Sequence, residues 1–84
     1  MARINMDTLS KCEKERNSVH SKVSATYTIF TENGEKYLQI DTYGKSERKM
    51  PEKISQSIQF DKESAKFFAI LLSEEFDLSY HISD

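Results

Sequence analysis

From Val23 onward, apolar and polar residues alternate in a pattern that predicts two neighbouring strands. Residues 23–31 read Val-Ser-Ala-Thr-Tyr-Thr-Ile-Phe-Thr, and residues 36–43 read Lys-Tyr-Leu-Gln-Ile-Asp-Thr-Tyr. β-Branched and aromatic side chains at a period of two suit a pleated, half-buried strand. Asn33-Gly34 stands between the two runs, and a type I′ turn needs positive φ at both of its central residues. A two-residue loop sets the register: Glu32 faces Glu35, Phe30 faces Tyr37, Ile29 faces Leu38 and Tyr27 faces Ile40. Val23, Ala25, Tyr27, Ile29, Leu38 and Ile40 then share one face, the expected core. The opposite face carries Thr26, Thr28, Phe30, Tyr37, Gln39, Asp41 and Tyr43, a polar surface interrupted by three aromatic rings.

The pattern resumes at residues 54–60, Ile-Ser-Gln-Ser-Ile-Gln-Phe. Ile54, Ile58 and Phe60 point one way and Ser55, Ser57 and Gln59 the other, as in a third strand with one buried face. Asp61 is placed to cap a helix over 62–76, with Glu63 in a first turn where the helix dipole favours an anion. Ala65, Phe68, Ala69, Leu72 and Phe76 form a stripe at helical spacing, and Phe67, Ile70 and Leu71 widen it beyond what one sheet face needs. Such a helix is expected to pack twice, on its own sheet and on a second copy, with Phe67, Phe68, Leu71 and Leu72 as core and dimer residues. The tail Leu78-Ser79-Tyr80-His81-Ile82 alternates, as a short last strand or a frayed end would.

Eighty-four residues make one small domain, for which oligomerisation is a natural source of buried area. Residues 1–22 are polar and carry five basic against three acidic side chains, hence +2, so the remaining residues carry −4 of the overall −2. Asp7 or Thr8 could cap a short helix through Arg16, but its apolar face is thin. The expected organisation is a polar, mobile or loosely docked arm over 1–22 and a single α+β domain over 23–84. Cys12 is alone, so no intrachain disulfide framework exists. The start of the chain lacks a signal-like apolar segment, and no apolar run is long enough to span a bilayer. The expectation is a cytoplasmic protein without membrane contact.

Catalytic and metal chemistry finds little support. Gly44-Lys45-Ser46 resembles the end of a phosphate-binding loop, but Gln39 stands where the upstream glycine is required. His20 and His81 are not at metal-ligand spacing with Cys12 or a carboxylate, and no nucleophile is paired with a base at a recognisable interval. The chain therefore reads as non-enzymatic, with no cofactor and no metal. The polar face is different: Phe30, Tyr37 and Tyr43, separated by hydroxyls and an amide, suit a platform on which bases stack. The charged loop that follows supplies Lys45, Arg48, Lys49 and Lys53, within reach of a phosphate backbone. The blander alternatives are that the rings pack on the arm or on a second subunit, and that the loop is merely solvated.

The order of hairpin, basic Pro-containing loop, Ile-x-Phe strand and single amphipathic helix resembles the positive cofactor four family of transcriptional coactivators. The resemblance covers about residues 27–76. It rests on Gly34 with Leu38-Gln39-Ile40-Asp41-Thr42-Tyr43, and on Pro51 with Ile58-Gln59-Phe60-Asp61. It implies a homodimer with a curved antiparallel sheet and one helix per subunit, binding single-stranded DNA. Where that family has basic residues around the turn and on the second strand, this chain has Asn33, Glu35 and Asp41, and Gly44 replaces the aromatic after the strand-ending Tyr. Lys45, Arg48, Lys49, Lys53 and the three aromatics remain as the contacts the resemblance implies.

The fold expected is thus α+β, a small antiparallel sheet packed by one C-terminal amphipathic helix, as a homodimer. The function expected is a homodimeric single-stranded nucleic-acid-binding module of transcription or DNA maintenance. The rival reading is a protein-interaction module, a small regulator or inhibitor of mobile-element origin that binds no nucleic acid.

Overall fold

In chain order the computed structural model comprises strands β1 (Ala2–Arg3), β2 (Ala25–Glu32), β3 (Glu35–Tyr43) and β4 (Ile54–Phe60), followed by helix α1 (Lys62–Glu75). It describes residues 1–44 and 53–78. The fold is α+β, a four-stranded sheet ordered β1-β4-β3-β2 with one C-terminal helix. β2, β3 and β4 are antiparallel, whereas β1 lies parallel to β4 and makes the sheet mixed.

The hairpin forms as its turn requires. Asn33 and Gly34 have φ of 54° and 81°, the two positive values of a type I′ turn. The pairs Glu32–Glu35, Phe30–Tyr37, Ile29–Leu38 and Tyr27–Ile40 all form. β4 continues both faces, placing Ile58 beside Ile40 and Phe60 beside Leu38 on one, and Ser57 beside Asp41 and Gln59 beside Gln39 on the other. The register shifts at Thr42/Tyr43, where Tyr43 pairs with Ile54 and Thr42 with Gln56. Ser55 is the extra residue of that bulge, and it sets Ile54, expected to point with Ile58 and Phe60, beside Tyr43 of the other face.

Asp61 caps α1 as its position predicts. Its side chain accepts the Ser64 backbone N–H at 3.0 Å, and the Ser64 hydroxyl in turn accepts the Asp61 N–H at 3.0 Å. This reciprocal box satisfies two otherwise unpaired helix-end donors. The Ser64 N–H, aided by the Ser64 hydroxyl and the Arg3 guanidinium, holds the Asp61 carboxyl below its ordinary range against a smaller opposing effect of desolvation. At the other end Asp77 adopts φ of 52°. Its N–H reaches the Glu74 carbonyl while the Leu78 N–H reaches that of Ser73. This is a Schellman arrangement with Asp in the left-handed position usually held by Gly.

The N-terminal arm departs from expectation at its very start. The first residues join the sheet, Ala2 beside Ile58 and Arg3 beside Gln59, with the Ile4 N–H on the Gln59 carbonyl at 3.2 Å. Beyond them, as the thin apolar face there implies, no helix forms between Asp7 and Arg16, where Leu9 is 39% exposed. The alternation at 78–82 lies almost wholly outside the described residues.

The expected core face exists but is not covered. α1 meets it near one end, where Phe68 sets its ring edge-on to Phe60 at 5.5 Å and 89°. Among the described residues no apolar side chain is buried, and Tyr27 and Ile29 remain 71% and 58% exposed. On the helix Phe68 and Leu71 are half-buried, while Phe67, Ile70, Leu72 and Phe76 are exposed. No described helix is long and apolar enough to cross a membrane.

A candidate nucleic-acid interface on the open sheet face

The face opposite α1 is built by strand parity. Thr26, Thr28 and Phe30 of β2, Tyr37, Gln39, Asp41 and Tyr43 of β3, Ser57 and Gln59 of β4 and Arg3 of β1 fall on it because paired residues of adjacent strands share a side. No described helix or strand lies over it.

Three rings line this face. Phe30 and Tyr37, a cross-strand pair, stack at 5.5 Å with an interplanar angle of 30°, within the range of favourable offset stacking. Tyr43, farther along β3, shares a hydrogen bond of 3.0 Å between its hydroxyl and that of Thr26. All three rings are half-buried. Arg3 extends the row: its guanidinium carbon lies 5.5 Å from the Tyr37 ring centroid, and Nη1 donates to the Tyr37 hydroxyl at 3.2 Å. A guanidinium over a tyrosine ring at this distance gains a cation–π attraction.

Between the rings runs a ladder of polar side chains. The Ser57 hydroxyl donates to Asp41 Oδ1 at 2.5 Å, Gln39 Nε2 donates to the same oxygen at 2.8 Å, and Gln59 Nε2 donates to Gln39 Oε1 at 2.6 Å. Asp41 and Ser57 are buried, at 7% and 8% exposure. A buried carboxylate needs such donors to offset lost hydration. Replacing Asp41 with Ala leaves Gln39 and the buried Ser57 without their acceptor. The expected cost is about 1–3 kcal/mol, read as a lower urea midpoint at unchanged slope; a midpoint equal to wild type would refute it.

Of the residues singled out from sequence, Phe30, Tyr37 and Tyr43 share this face. Lys53 is exposed immediately before β4. Lys45, Arg48 and Lys49 lie outside the described residues. Phe67, Phe68, Leu71 and Leu72 sit on α1, away from this face. Sequence reasoning passed over Arg3, Ser57 and Gln59 as site residues. The last two were visible as polar positions of β4, whereas nothing near Arg3 signals a strand.

Neither the protein-family models nor the curated proteins or solved structures yielded a match to this chain.

Proposed function

We propose that the protein is a homodimeric, non-enzymatic module that binds single-stranded nucleic acid on the polar face of its sheet. The observation that carries this reading is the open row of Phe30, Tyr37 and Tyr43, with Arg3 over Tyr37 and amides between the rings. Bases have π-faces that stack on such rings whatever their sequence, and the amides can meet base edges. Duplex bases, already stacked on one another, cannot use it, so a single strand is the favoured form. Lys45, Arg48, Lys49 and Lys53 would hold phosphates. Asp41 opposes this little, since it is buried and its Oδ1 is engaged by two donors.

The opposite face supports the second copy. A domain with no buried apolar side chain among its described residues lacks the burial that offsets chain entropy. Another copy, placing its own Tyr27, Ile29, Ile58 and exposed helix residues there, would supply it and leave both polar faces outward.

The test is a fluorescence-anisotropy titration of labelled oligo-dT and a duplex at several salt concentrations. The strand should bind more tightly than the duplex, and roughly four phosphate contacts would give a salt slope of about −3. Absence of strand binding at low salt would overturn the reading in favour of a protein-interaction module.

A further inference from the structure

At the turn end of the polar face, Arg3, Phe30, Glu32, Asn33, Tyr37 and Gln59 line a cleft of about 330 Å³. Its polar groups have a fixed polarity that begins at Asp41. A carboxylate only accepts, so Gln39 must present Nε2 to Asp41 and Oε1 to Gln59, and Gln59 must present Nε2 to Gln39. The Gln59 side-chain Oε1 is thereby left for a ligand. Arg3 commits one N–H to Tyr37 and keeps the rest of its planar donor set. Glu32 is in no ion pair among the described residues. The cleft thus offers a donor fork at Arg3 and acceptor oxygens at Gln59 and Glu32, with the Phe30–Tyr37 ring pair between them.

Resting on the single-strand reading above, we propose that this cleft is a guanine-selective subsite. Guanine offers two acceptors, N7 and O6, on one edge, and arginine meets that pair in bidentate fashion. Its N1–H and N2 amino group are donors, suited to the Glu32 carboxylate or the Gln59 side-chain Oε1. Adenine carries an N6 amino donor where guanine has O6, so it sets donor against donor at Arg3. Thymine has no amino group for Glu32, and cytosine lacks the N7/O6 pair. The ring pair takes any base; Arg3 and Glu32 select.

The experiment compares labelled oligo-dT with the same strand carrying one central dG, dA or dC. The dG strand should bind about tenfold more tightly than oligo-dT, with dA and dC near oligo-dT. In Arg3→Met, which keeps the β1 backbone pairing but removes every side-chain donor, the dG-to-dT affinity ratio should fall to about one, whatever the absolute affinity. Glu32→Gln should lower the same ratio. Equal binding of dG and dT strands by the wild type overturns the subsite and leaves single-strand binding standing. Absence of binding to every strand overturns both. Displacement of the labelled strand by guanosine monophosphate alone, at concentrations near those of the strand, would overturn the assignment to a strand rather than a free nucleotide.

Discussion

Replacing Ile29 with Asp is expected to abolish the dimer and leave the chain largely unfolded, although Ile29 is 58% exposed in the single chain. For a protein that works as the isolated subunit, a change at so open a position shifts stability by no more than about 0.5 kcal/mol. If the apolar face is covered by a second copy, the same substitution forces a carboxylate with no partner into an apolar interface. That costs several kcal/mol, a large part of the roughly 5–15 kcal/mol that holds a domain folded. The two situations therefore differ several-fold in size. Light scattering should give twice the 9.8 kDa chain mass for wild type, and circular dichroism should show lost structure for Ile29→Asp. A variant that melts like wild type, with wild type itself monomeric, would remove the dimer from the proposed function.

Tyr37→Ala should weaken oligo-dT binding by about 5- to 150-fold, the range for loss of one stacked base. Tyr37 holds three parts of the site together: it stacks on Phe30, lies beneath the Arg3 guanidinium and accepts the Arg3 hydrogen bond. Truncation removes the ring and releases Arg3 in one step. Tyr37→Phe separates these contributions, since it keeps the ring and loses the hydroxyl; its affinity for oligo-dT should stay close to wild type. Both are read by anisotropy, with circular dichroism as the check on folding. Wild-type affinity in Tyr37→Ala would show that the strand, if bound, does not lie on this face.

Both predictions draw on features of different legibility. The two faces of the hairpin were readable because Asn33-Gly34 accepts only a narrow set of turns, and a two-residue turn assigns every cross-strand partner by counting. A slip of one residue would have turned Ile29 and Leu38 outward. The capped start of α1 was readable for a similar local reason, since Asp61 bonds a backbone N–H three residues away. The rotation of the helix was not. Its apolar surface runs most of the way round, so periodicity predicts a stripe through Leu72 and Phe76, yet these are exposed while Phe68 and Leu71 are half-buried. Where nearly every side is apolar, contact with Phe60 decides which one faces inward.

By itself, then, the sequence determined the hairpin, its register, the third strand, the helix and the sorting of side chains onto two faces. All of these follow from local rules: turn chemistry, the two-residue period of a strand and the capping of a helix end. Only the tertiary structure decided that Ala2–Arg3 forms a parallel edge strand, because pairing with residues more than fifty positions away leaves no periodic trace in two residues. That one pairing carries Arg3 onto Tyr37. With the cross-strand contacts that orient Gln39 and Gln59 from the buried Asp41, it makes a binding cleft out of what the alternation showed only as a polar face.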